Sequence, residues 1–249
     1  MDRDDVQLRR AVKMDGTWRT ATSVLVAMLL VAAPLARGFA KQPEATGIVL
    51  SGIWKSQPPM EWVNPAKDEI PLTPEYARKL KKWREAVDRG QPPPDSVARC
   101  EAFGMPRVMS FAQFELLETP GQVTIITEIL HEVRRIYTDG RKPPADLDLT
   151  YGGYSTGHWE GKTLVVETVG LMASTLDQYG IPHSDELKVL ERLELIDKDT
   201  MRNRITLIDS LAYTKPWTVE RKYKRLHDFE LQEYICNTNG AAIEGETIQ

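Results

Sequence analysis

An excess of positive charge is the first thing this chain lacks. Its 249 residues carry 32 Lys and Arg against 36 Asp and Glu, a net charge of −4, so little is available to neutralise a phosphate backbone and nucleic acid is not an expected partner. Long apolar runs are also missing, save one of about fourteen residues at 23–36, short of the ~20 that span a bilayer as a helix. That excludes a polytopic membrane protein. The four histidines, His131, His158, His183 and His227, show neither H-x-H nor H-E-x-x-H spacing, so no helix-borne zinc site is expected, while a site assembled from distant strands stays open. Cysteine is scarce, with only Cys100 and Cys236. At 41% hydrophobic and 27% charged, the composition is that of an ordinary globular chain rather than a disordered or collagenous one.

The apolar run explains itself as an export signal. Arg9, Arg10, Lys13 and Arg19 precede it, and Gly38 and Ala40 supply small residues at the −3 and −1 positions of a cleavage site. Residues 1–40 are therefore expected to be the signal peptide of a periplasmic or secreted protein, with no stable membrane span once it is cleaved. A start at Met14 gives a tidier signal, and Arg9-Arg10 also suits twin-arginine export. An uncleaved anchor is the alternative. Cleavage removes six Lys/Arg and four Asp/Glu, leaving 26 against 32. In an oxidising compartment the two cysteines suggest a disulfide, with two buried free thiols as the alternative.

Residues 41–122 read as an N-terminal extension. Gly52-Ile53-Trp54 suits a first strand, and the prolines at 58, 59, 65 and 71 forbid a long regular element beyond it. A helix is expected over 74–89: Thr73 to cap, Pro74 in the first turn, Tyr76, Leu80, Trp83 and Val87 at helical spacing, Gly90 to end it. From Val123 the texture changes to β-rich runs at 123–138, 154–159, 163–171, 187–197, 200–209, 218–225 and 230–236. Hairpin turns are expected at 160–162 and 197–199. Strands joined by hairpins are antiparallel and need their edges hidden. The expected fold is thus mainly β, an antiparallel up-and-down barrel or strongly curved sheet over 123–236, with 237–249 as a polar tail.

Alternation then sorts the faces. One face of 187–195 carries Leu187, Val189, Glu191, Leu193 and Leu195. The turn at 197–199 sets Glu191 against about residue 205, which brings Met201, Asn203, Ile205 and Leu207 to the same side. Trp217, Val219, Arg221 and Tyr223 share a face; so, on an unbroken strand, do Ile125, Thr127, Ile129, His131, Val133, Arg135 and Tyr137. In the last run Leu231, Glu233 and Ile235 do. The expected interior is apolar, dotted with charged groups that must pair, meet water or meet a ligand; the alternative is a one-residue register error that returns some of them to the surface.

Two motifs carry little. Gly153-Tyr154-Ser155-Thr156-Gly157 matches G-x-S-x-G, but a strand follows where a nucleophile elbow needs a helix. The stretch 157–163 has three residues between its glycines where a phosphate loop has four. His183 sits in a loop beside carboxylates, where it suits acid–base work or the capping of a turn.

The runs RRIYTDGR (134–141), TYGGYSTGHWEGKTLVVET (150–168), PHS (182–184), YTKPWT (213–218), EYIC (233–236) and GMPR (104–107) resemble a large group of exported bacterial proteins, frequent in sphingomonads and acidobacteria. Lys162 stands where that group more often has Asp. The resemblance spans roughly residues 50–240; it implies export, a Cys100–Cys236 pairing and one continuous domain, and carries over no reaction. The 52–54 start is similar to the opening of lipocalin-like barrels, which implies small apolar ligands.

Two functions follow as expectations. In a carrier, Arg135, Tyr137, Asn203, Arg221, Trp217, Tyr223 and Glu233 orient a small, largely apolar, oxygen-bearing molecule. In a cofactor-independent lyase, isomerase, hydratase or cyclase, His183 or His131 moves a proton, Glu191 acts as base or orienter, and Arg221 stabilises developing negative charge. A structural envelope protein is the third reading. No metal or cofactor is expected.

Overall fold

The computed structural model describes residues 50–58, 69–91, 96–110, 113–177, 180–234 and 236. The expected signal peptide and the tail from 237 lie outside the described residues. Within them the chain runs through β1 (Gly52–Gln57), α1 (Pro74–Asp88), β2 (Gln113–Thr119), β3 (Gln122–Thr127), β4 (Val133–Tyr137), β5 (Tyr154–Glu160), β6 (Thr163–Val169), β7 (Ser174–Thr175), β8 (Pro182–His183), β9 (Lys188–Asp197), β10 (Thr200–Ile208) and β11 (Trp217–Leu226). Nine strands close into a barrel in the order β1-β11-β10-β9-β6-β5-β4-β3-β2, while β7 and β8 pair separately. Closure leaves no long edge to solvent, the solution a run of hairpins calls for.

Three features depart from the simple meander. β1 and β2 come from the segment read as an extension, and β1 closes the barrel by pairing with both β2 and β11. Residues 230–234 form no strand; β1 takes the place beside β11 that the 230–236 run was expected to fill. Finally, β4 and β5 run parallel, through Ile136↔Ser155 and Tyr137↔Thr156, because the 138–153 connection is long enough to bring the chain back to the starting end. All other barrel neighbours are antiparallel.

The helix begins as the sequence reading has it, but Thr73 does not cap it with its side chain. Its hydroxyl donates to Leu211 O at 2.9 Å, and its N–H to Ala212 O at 2.8 Å. These bonds hold the start of α1 against the 209–214 turn, and Tyr76 and Leu80 are its buried side chains. The barrel core is built from alternate residues of each strand, among them Trp54, Phe114, Ile125, Leu164, Leu193 and Ile205, all fully buried.

A 3-10 turn at Arg107–Ser110 is buried along its whole length. Tyr223 donates its hydroxyl to Met109 O at 2.9 Å, so this turn packs directly on an inward side chain of the barrel. It is anchored from the other side by Glu132, whose carboxylate accepts from the N–H groups of Phe103 and, at 3.1 Å, Gly104. Only glycine fits at 104: its φ is +68°, and a Cβ there would lie 2.4 Å from Tyr151 O. Gly104→Ala is therefore expected to destabilise the fold by about 1–3 kcal/mol, readable as a lower urea midpoint; an unchanged midpoint would refute the close packing.

Candidate functional site

Polar groups line the barrel in one continuous arc. Ser56 on β1, Arg221 on β11, Asn203 on β10, Glu191 on β9, Thr168 on β6, Ser155 on β5 and Arg134 on β4 are all buried, and these are seven successive strands of the barrel. β2 and β3 complete the circle with apolar side chains such as Phe114, Leu116 and Ile125.

Arg134 and Glu191 form the centre of the arc. The guanidinium meets the carboxylate in a fork, Nη1 to Oε1 at 3.2 Å and Nη2 to Oε2 closer still. Arg134 Nε donates to Ser155 Oγ at 3.2 Å and Nη2 to Thr168 Oγ1 at 3.0 Å, and the two hydroxyls are 2.8 Å apart. Asn203 Nδ2 donates to Glu191 Oε1 at 2.9 Å. Two ions are thus held out of water because each finds its opposite charge and further hydrogen bonds. Ser155, the serine of the G-x-S-x-G motif, is a buried member of this network near the start of β5 rather than an exposed nucleophile.

Register places the remaining members. Asn203 lies directly opposite Arg221, and Ser56 opposite Tyr223. Arg221 Nη2 donates to Ser56 Oγ at 2.7 Å and to Pro58 O at 2.6 Å. Burial pushes the Tyr223 phenol well up, with Arg221, Glu191, Asn203 and Arg134 all close enough to act on it. Among these side chains Asn203 Oδ1 is a buried acceptor that receives no hydrogen bond from the described residues. The amide cannot turn round to relieve this, since Nδ2 must face the Glu191 carboxylate. Nor does Tyr223 relieve it, its single hydroxyl proton being directed to Met109 O. A buried acceptor without a donor costs about 1–3 kcal/mol.

No family model matches the chain. Nor is any curated protein similar to it at a significant level. The geometry is therefore what speaks for function.

Of the residues singled out from sequence, the structure brings together Glu191, Asn203, Arg221 and Tyr223, and adds Arg134, Ser155, Thr168 and Ser56. It corrects the β4 assignments. Residues Ile129–His131 form a 3-10 turn in which Leu130 and His131 take positive φ, 58° and 47°. The turn reverses the alternation, so Arg134 and Ile136 point inward while Val133, Arg135 and His131 are exposed. Tyr137 leaves the interior with them: it lies half-buried beside Tyr154, ring centroids 5.2 Å apart, with the Arg141 guanidinium 4.2 Å over its ring. Glu233 is exposed because the 231–234 segment is not a strand. Trp217 keeps to the inner face at the start of β11, edge-on to Tyr213 at 5.4 Å, and its buried Nε1–H meets no acceptor among the described residues.

His183 is buried on β8, apart from the Arg134–Glu191 network. Its Nδ1–H donates to Ser184 O at 2.9 Å, which fixes the tautomer. The adjacent carboxylate, Asp209, is filled by four donors: Ser184 N at 2.7 Å, Ser184 Oγ at 2.8 Å, Ala212 N at 2.9 Å and Leu211 N at 3.1 Å. This arrangement ties the β8 region to the turn after β10. Burial holds the His183 imidazole below its usual range, against the pull of the Ser184 carbonyl and Asp209. The unfolded chain thus binds a proton on this side chain at a higher pH than the folded one. Stability is expected to fall as pH drops from 6.5 towards the depressed folded value and to level off below it. His183→Asn keeps a donor for Ser184 O and should flatten this dependence in urea midpoints between about pH 7.5 and 5.5. An unaltered slope would show that His183 does not titrate there.

Proposed function

We propose that the barrel binds a small, largely apolar molecule bearing an oxygen function, as a carrier in an exported bacterial protein. The observation that carries this reading is the unfilled acceptor Asn203 Oδ1 among buried polar side chains of a nine-stranded barrel. Eight strands already suffice to enclose side chains or one small ligand. A ligand O–H or N–H pointed at Asn203 Oδ1 would remove the cost of the open acceptor, and the apolar walls on β2 and β3 suit the rest of the molecule. The Cys100–Cys236 disulfide supports the export reading, since such bonds persist in oxidising compartments.

Binding is favoured over acid–base catalysis for a specific reason. The enzyme reading needs a histidine within hydrogen-bond reach of Glu191 or an aspartate, whereas Glu191 is bonded to Arg134 and Asn203, His131 is exposed, and His183 bonds Ser184 O while the Asp209 carboxylate is taken up by Ser184, Leu211 and Ala212. Both oxygens of the Glu191 carboxylate already accept hydrogen bonds from Arg134 and Asn203.

The test is competition for an environment-sensitive dye by a fatty alcohol and by its methyl ether, which lacks the donor. The alcohol should bind about tenfold tighter, the value of one hydrogen bond to a buried acceptor, and Asn203→Leu should abolish the difference. Equal binding of alcohol and ether, or no competition by either, would reject the reading.

A further inference from the structure

We propose that the outer face of β1, β11 and β10 docks on the headgroups of an anionic lipid bilayer. The outward side chains there are Lys55 on β1, Glu220, Lys222 and Lys224 on β11, and Arg202 and Arg204 on β10, with all but the half-exposed Arg202 exposed. Five cations therefore share this face with one carboxylate, in a chain whose net charge is −4. Several stand directly opposite one another, Lys55 against Lys224 and Lys222 against Arg202, while Arg204 lies between Arg192 of β9 and the one carboxylate of the face, Glu220.

Like charges in opposed positions cost stability. Part of that is offset, since Arg202 pairs with Glu194 at 2.5 Å and Arg192 with Glu160 at 2.9 Å. Lys55, Lys222 and Arg204 form no ion pair among the described residues. Lysines commonly guard exposed sheet edges against association, but β11 and β10 each have strands on both sides in a closed barrel, so that reason does not apply here.

The layout favours a lipid surface over a nucleic acid. The cations spread over three neighbouring strands, about 4.8 Å apart across the sheet and about 7 Å apart along it. That is a two-dimensional array rather than a groove following one backbone. No outward position of β1, β10 or β11 holds an aromatic ring on which a base would stack. Beside the cations Ile53 faces Leu226, both half-buried, which gives the charged field an apolar margin suited to the headgroup boundary. Each cation adds modestly to attraction towards an anionic leaflet and is screened by salt, so docking is reversible.

Co-sedimentation of the full chain with phosphatidylcholine vesicles, with and without about 30 mol % phosphatidylglycerol, tests this. Three chains are compared: the native one, Lys55→Glu/Lys222→Glu/Lys224→Glu, and a control, Lys79→Glu/Lys81→Glu/Lys82→Glu, which makes the same charge change on exposed α1. The apolar run at 23–36 is common to all three, so differences between them report the sheet face. Native partitioning should rise with phosphatidylglycerol and fall back in about 0.5 M salt. The β1/β11 variant should lose about a hundredfold or more while its circular dichroism shows the barrel retained, and the helix variant less than a third of that on a logarithmic scale. Retention by the β1/β11 variant, an equal loss by the helix variant, or tighter binding of an oligothymidylate than of the vesicles would each overturn the proposal.

Discussion

Glu191→Leu is expected to lower the unfolding free energy by about 3–5 kcal/mol, the cost of leaving a buried charge without its partner. The charge in question is the Arg134 guanidinium, 7% exposed, whose other contacts are the hydroxyls of Ser155 and Thr168. Neither hydroxyl is anionic, so neither replaces the carboxylate. The double change Arg134→Leu/Glu191→Leu removes both ions and should recover most of the loss, because a buried pair gains little net energy over well-packed apolar side chains. Arg134→Lys should stay destabilised: an ammonium cannot serve two carboxylate oxygens and two hydroxyls from one planar fork. Urea midpoints of these chains, together with the native chain and Arg134→Leu alone, decide the matter at neutral pH. A double variant as unstable as the sum of the singles would mean that the pair is not the coupled unit described.

Reduction of the Cys100–Cys236 bond should cost about 2–4 kcal/mol, a fall of roughly 5–15 °C in the melting temperature for a domain of this size. The bond joins residues 136 apart in sequence, so it removes much of the freedom of the unfolded chain. Its folded-state role is to fasten the strandless segment after β11 to the turn at Val97–Arg99, whose end at Cys100 takes positive φ. The barrel ladder should survive reduction. Thermal melts of oxidised and reduced protein, with Cys100→Ala/Cys236→Ala as a check, give the measurement; equal melting temperatures would refute the assignment of this stability to the bond.

The interior was legible where alternation ran unbroken between readable turns. Asp197-Lys198-Asp199 set the hairpin, and the observed pairing of Glu191 with Ile205 follows from it. Asn203, Arg221 and Tyr223 fall inward by the same count. The reading failed at β4 because Leu130 and His131 enter the left-handed region with neither glycine nor proline to announce it. One residue of parity then exchanged Arg135 for Arg134, and with it the partner of Glu191. The adjacent pair Arg134-Arg135 was the only signal that the inward arginine had two candidates.

The order of residues was enough to specify the β-rich class, the helix after Thr73, the two tight hairpins and the inner faces of β9, β10 and β11. All of these depend on period, turn chemistry and neighbours close along the chain. The folded barrel alone shows that β1 closes the circle, that β4 meets β5 in parallel, that the 107–110 turn packs on Tyr223, and that Arg134 reaches Glu191. Those contacts join segments far apart in sequence, and their register is set by which side chains fill the common interior, a quantity no local pattern contains.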